Sequence, residues 1–194
     1  ASRWSSATGD HARRSMSEPH VVASVRGEYL RYRRLAELAV EQLDDAQLVR
    51  RTDPEANSVA ILLGHLAGNL RSRFTDFLTT DGEKPWRDRD AEFEPTIRTR
   101  AEVLADWAAA WEVLDGALAA LTASDLDREV VIRGQALSVT EALHRSVAHV
   151  AYHVGQVVLL ARQQRGDRWT SLSIPRGGSA AYAENPTRER GLGG

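Results

Sequence analysis

The sequence predicts an all-α protein in which four helices close a bundle. Three observations carry that reading. Four stretches repeat apolar side chains at three- and four-residue steps, the period of a helix with one buried face. Two of them open on capping boxes, Thr99-Arg100-Ala101-Glu102 and Ser138-Val139-Thr140-Glu141. The β-prone run Glu129-Val130-Val131-Ile132 is too short to found a sheet.

The first helix is expected over His20 to Leu43, where Val21, Val25, Tyr29, Tyr32, Leu35 and Leu38 alternate with Arg31, Arg33, Arg34, Glu37 and Glu41. The second is expected over Ser58 to Leu78, with Asn57 or Ser58 as N-cap. The third starts at Thr99 and reads through Val103, Leu104, Trp107, Trp111, Leu114, Leu118 and Leu121. The fourth starts at Ser138 and runs to about Gln164, with Gly166 as its stop. Between the second and third lies a polar loop, residues 79–98. Loops this long tend to be functional or disordered, and Trp86 and Phe93 predict one that packs on something. Its run Trp86-Arg87-Asp88-Arg89-Asp90 reads as a solvated, self-paired turn, or else as a rim that holds a polar substrate. Residues 123–137 hold a candidate small hairpin through Arg133-Gly134-Gln135.

The expected organisation is an N-terminal extension over residues 1–19, a helical domain over 20–165 and an irregular tail over 166–194. In the tail, Trp169 to Ile174 are expected to dock and Asn185 to Gly194 to fray. Met16 reads as a natural start, with residues 1–15 an added segment. The formal net charge of -2 offers no one-sided field to draw nucleic acid or anionic lipid. No window has the apolar length of a membrane span, and no secretory signal is legible, so a cytoplasmic location is the default expectation. The chain has no cysteine, which excludes disulfides, thiolate ligands and a cysteine nucleophile.

Chemistry concentrates on the histidines. His149 and His153 stand one helical turn apart, so both imidazoles share one face and can grip one ion. Along that face run Ala142, Ser146, His149, His153 and Gln156, a narrow polar stripe on a helix that is otherwise nearly all apolar. His65 sits on the second helix between Gly64 and Gly68, with Asn69 one turn on as a group that could orient a ligand or water. Each glycine inside a helix costs roughly 1 kcal/mol against alanine, so the pair implies a packing or access reason. Three neutral imidazoles leave coordination positions open, as catalytic rather than closed structural sites do. The bland alternative is a set of core histidines, each hydrogen-bonded to a neighbour. His144 lies about 140° round the helix from His149 and is expected to face elsewhere, and His11 and His20 carry no signal. Val150 follows His149 where a zinc protease motif would need glutamate. Phosphate-cradling glycine loops and the serine hydrolase elbow are missing too.

The strings Gly64-His65-Leu66-Ala67-Gly68-Asn69, Ser72 to Glu83, His149-Val150-Ala151-Tyr152-His153-Val154-Gly155-Gln156 and Ser173-Ile174-Pro175-Arg176-Gly177 make the constellation recognisable. One histidine on the second helix and a H-x-x-x-H on the last resembles the DinB/YfiT-like superfamily of metalloenzymes over residues 20–165. The longer strings look like a bacterial branch described only as a domain of unknown function. The resemblance implies an up-down-down-up four-helix bundle, often a homodimer, and a divalent metal held by His65, His149 and His153. Zinc or nickel is the first expectation, with iron or manganese as alternatives. It also implies a hydrolase or thiol S-transferase acting on a small molecule, with a low-molecular-weight thiol as cosubstrate. The metal would lower the pKa of a bound water towards ~7 or stabilise a thiolate. Tyr152, Asn69, Asp76 and Gln156 are the candidates for orienting water or moving protons. Two competing readings are a non-catalytic metal-binding or stress-response protein, and an interaction protein whose histidines only fill a core.

Overall fold

The computed structural model describes residues 19–94 and 98–187. Mainly helical, it contains α1 (His20–Glu41), α2 (Asp45–Val49), α3 (Val59–Phe74), α4 (Arg100–Ala120), β1 (Glu129–Ile132), β2 (Gln135–Ser138), α5 (Val139–Arg165) and α6 (Ser179–Glu184). Residues 1–18, which include His11 and most of the expected N-terminal extension, lie outside the described residues, as do 188–194.

Helix starts follow their caps. Ser58 accepts from the Ile61 N–H at the start of α3, and reciprocal boxes join Thr99 to Glu102 and Ser138 to Glu141. Each satisfies N–H groups that the first turn leaves without a helical partner. Gly166, with φ of 55°, ends α5 in a conformation that side-chain-bearing residues avoid. α1 packs along α5 and α3 along α4, while α3 also meets α5. Between them lies one apolar cluster built from Leu62, Leu66 and Leu70 of α3, Trp107, Trp111 and Leu114 of α4, and Val150, Val154 and Val157 of α5. Tyr29 of α1 sets its ring edge-on to Phe74 and Trp111, with centroids 6.3 and 6.0 Å away. Among the described residues, no helix is long and apolar enough to cross a membrane.

Several expectations change. α3 ends at Phe74 rather than Leu78, because Thr75 turns extended and Asp76 adopts a φ of 48°. Two short helices, α2 and α6, stand where only connection and irregular tail were read. α2 carries its own box between Asp44 and Gln47, a signal that was present in the sequence. Within the long loop, residues 79–94 carry structure of their own. Gly82 N–H donates to Val131 O at 2.7 Å, and residues Ala91–Phe93 form a 3-10 turn. Trp86 does not pack, being 56% exposed, whereas Phe93 does.

The hairpin forms as an antiparallel β1–β2 pair. Its turn residues Arg133 and Gly134 have φ of 54° and 73°, the two positive values that a two-residue type I′ turn requires. Asp81 fastens this turn to the segment after α3. Its Oδ1 accepts from Glu83 N (2.7 Å) and Arg133 N (2.9 Å), and its Oδ2 from Gly134 N (2.8 Å). In the tail, Trp169 and Leu172 pack against the core, and Gln42 exchanges two hydrogen bonds with the backbone of Thr170. Ile174 stays exposed instead of docking.

Candidate metal centre

The three histidines come together. His65 projects from α3, and His149 and His153 from α5, and their ligand atoms lie within 4.8 Å of one another. The Nε2 atoms of His65 and His149 are 3.3 Å apart. Two imidazole nitrogens bound tetrahedrally to one zinc at ~2.05 Å would be separated by about 3.3 Å, so this pair already has the spacing an ion needs. The third ligand atom lies within 4.8 Å of the other two, so closing the set on one ion calls for side-chain movement. A divalent ion therefore fits the donor set: three imidazoles on two packed helices, with no other protein ligand in the group.

The protonation of the rings favours the same use. Burial, then repulsion from His153, His65, Arg87 and Arg73, pushes the His149 imidazolium down to about 3. Burial also lowers His153, although its bond to Gln156 works the other way. Both rings are neutral at ordinary pH, the form that binds metal.

Two of the three rings are oriented by partners. His65 Nδ1–H donates to Glu92 Oε2 at 2.8 Å, which leaves the Nε2 lone pair facing the centre. Gln156 Oε1 lies 3.1 Å from His153 Nδ1 and does the same for that ring. By contrast, His149 Nδ1 is buried without a partner.

Glu92 is itself held. Arg87 Nε donates to its Oε1 at 2.7 Å and Nη2 to its Oε2 at 2.8 Å, a bidentate pair, and Arg87 Nη1 donates to Ser72 Oγ at 3.0 Å. The Arg87 side chain is only 2% exposed. Burial raises the Glu92 carboxyl, but the bonds from Arg87 and His65, and their charges, outweigh it and hold Glu92 below its ordinary value. The centre is thus a chain, Ser72–Arg87–Glu92–His65, running from α3 through the 79–94 segment and back to α3. Gly68 makes room for it, since a Cβ there would overlap Glu92 Oε1. At Gly64 the nearest atom to such a Cβ is Arg98 Nη1, at an ordinary 3.5 Å.

Glu92 and Arg87 were not singled out as functional by the sequence. The Arg-Asp run reads in sequence as a self-paired turn, whereas among the described residues only Arg89–Asp90, an exposed contact of 3.4 Å, behaves that way. The signal that could have exposed the chain was the pairing of an unexplained helical glycine with a carboxylate on a long loop.

The family comparison bears on the same stretch. A family model described as "Protein of unknown function (DUF1572)" matches residues 16–178. The chain belongs to the DUF1572 family. Its match spans all three histidines, Glu92 and Arg87. No curated protein matches the chain.

A cleft of about 630 Å³ opens over the histidines. Phe74, Phe77, Phe93 and Ile132 give it an apolar wall, and Phe93 stacks at 4.6 Å from the His65 ring. The histidines thus line a cleft instead of pointing into a closed core. Of the other sequence candidates, Asn69 lines the cleft and is 9% exposed. Tyr152 stands at the lip, 66% exposed, with its ring against His153. Gln156 touches His153. Asp76 is exposed beyond the end of α3 and is not among the cleft walls. His144 is exposed, as expected, and so is His20.

Proposed function

We propose that this DUF1572 chain is a divalent-metal enzyme, a hydrolase or thiol S-transferase acting on a small molecule, built on the up-down-down-up four-helix bundle of the DinB/YfiT superfamily. The contact of α1 with α5 and of α3 with α4 supports the bundle reading. One observation carries the site: His65 and His149 present Nε2 atoms 3.3 Å apart while Glu92 pins the far side of His65. His65, His149 and His153 would hold the ion, with zinc or nickel the best match to an all-imidazole set.

An ion so held supplies Lewis acidity to whatever fills its remaining position. The chain's own residues do the rest. Glu92 keeps the His65 proton on Nδ1, and Gln156 keeps the His153 proton on Nδ1. The phenylalanine wall excludes water from one side of the cleft. Asn69 offers a side-chain amide within it, and the Tyr152 hydroxyl is the protic group at its mouth. With no cysteine in the chain, any thiol must arrive as a cosubstrate. The homodimer belongs to the same reading, and light scattering tests it.

The decisive measurement is metal content of purified protein. Wild type is expected to carry about one zinc or nickel per chain, and His65→Ala, His149→Ala and His153→Ala to carry almost none. Full occupancy in any of the three overturns the assignment. A second reading, a non-catalytic metal-binding or stress-response protein, draws on a specific observation: among the described residues no carboxylate lines the cleft to act as general base.

A further inference from the structure

We propose that the cleft over the histidine triad binds a small organic anion, with Arg145 as the main partner of its charged group and Arg89 and Arg133 reaching it from the rim. The proposal deepens the enzyme reading above by naming the substrate class. It rests on that reading only where it sets the uncharged, reacting end of the molecule at the histidines.

Five arginines line this one cleft: Arg73, Arg87, Arg89, Arg133 and Arg145. Among the described residues no aspartate or glutamate lines it with them. Carboxylates behind the walls neutralise only part of this charge. Glu92 takes Arg87, and Glu83 is shared by Arg73 and Arg133. Asp90 meets Arg89 loosely and in solvent. Asp81, held on the backbone of Arg133 and Gly134, is a fourth carboxylate nearby, so five guanidinium groups face four carboxylates. The triad adds no negative charge, because its ligands are imidazoles, and a divalent ion would make the site more positive still. A concave site lined by one sign of charge concentrates its field on an entering ion of the other sign.

Among these arginines, Arg145 has no hydrogen bond or ion pair among the described residues. It lies four residues before His149 on α5, and therefore on the same helix face, about 6 Å along the axis. Its guanidinium, on the wall of the cleft that holds the histidines, is a planar fork that pairs bidentately with carboxylate or phosphate. Arg89 and Arg133 line the same cleft from the 79–94 segment and from the hairpin turn that Asp81 clamps. Phe74, Phe77 and Phe93 between them suit an apolar body, and the volume suits a small organic molecule.

Calorimetric titration with benzoate, and with benzamide as its neutral analogue of the same shape, tests this on zinc-free and zinc-loaded protein. Benzoate is expected to bind both forms, and benzamide to bind at least about tenfold more weakly. Arg145→Gln should weaken benzoate by about tenfold, the loss of one charge-assisted pair, weaken benzamide much less, and leave the thermal midpoint unchanged. Arg162→Gln, farther along α5 and outside the cleft, should change neither titration. The proposal is overturned if benzoate fails to bind at millimolar concentration, if benzamide binds equally well, or if Arg145→Gln binds benzoate like wild type. Failure of the metal reading would appear separately, as zinc content insensitive to the histidine variants, and the zinc-free titration would still decide the anion question.

Discussion

Gly68→Ala should destabilise this protein although alanine is the better helix former. Glycine in a helix interior normally costs about 1 kcal/mol against alanine, so the local effect alone is stabilising. The new methyl would overlap Glu92 Oε1 and sit 2.9 Å from its Cδ, and the carboxylate must leave. Its departure breaks the bonds to Arg87 and His65 and strands a guanidinium that is 2% exposed. Uncoupling a buried ion pair costs about 3–5 kcal/mol, so the net loss is about 2–4 kcal/mol after the helix gain. For a chain of this size that lowers the melting temperature by roughly 4–16 °C. Gly64→Ala is the internal control. Its Cβ meets only Arg98 Nη1 at 3.5 Å, and it should gain roughly 0.5–1 kcal/mol. Differential scanning calorimetry of the metal-free proteins gives both values. In the double variant with Glu92→Ala, the Gly68→Ala penalty should vanish, because the clash and the pair go together. A Gly68→Ala protein as stable as wild type would refute the placement of Glu92.

The Glu92 lock also has an acid limit. Because its carboxyl is held below the ordinary 4.5, its contribution is complete above that value and drains away as pH falls through the depressed one. The gap in melting temperature between wild type and Glu92→Gln should therefore stay constant from pH 8 to 5 and narrow only in stronger acid. A gap that closes by pH 6 would contradict the pairing. Gln156→Leu removes the partner of His153 Nδ1 and should weaken metal affinity at least about tenfold in a competition titration, with little change in the metal-free melt. Gly134→Ala forces a side chain into φ of 73° and should cost about 1 kcal/mol in urea unfolding. An unchanged midpoint would mean that the hairpin turn differs from the one described.

Much of this molecule is written in local sequence. Caps are interactions within four residues, so Ser58, Thr99 and Ser138 announce their helices, and Gly166 announces a stop. The H-x-x-x-H spacing is just as local, because helix geometry alone places His149 and His153 on one face. Errors arose where no local period exists. α3 stops early because Asp76 takes a left-handed φ, and Thr75-Asp76 carries no glycine or proline to mark it. The short helices α2 and α6 are too brief for periodicity to register.

The sequence by itself determined the helical class, most helix starts and the identity of the three histidines, since each of these depends on neighbours within a turn or two. Tertiary structure alone decided that His65 meets His149 across two helices. It also decided that Glu92 and Arg87, from a segment that looked self-paired, stand behind that meeting. Gly68 shows why. Its missing side chain is legible in the sequence, but the carboxylate that occupies the space lies 24 residues away and reaches it only when the 79–94 segment folds back over α3. Contacts closed by long loops leave no periodic trace, and the cluster of arginines over the histidines is assembled in the same way, from α3, the 79–94 segment, the hairpin and α5.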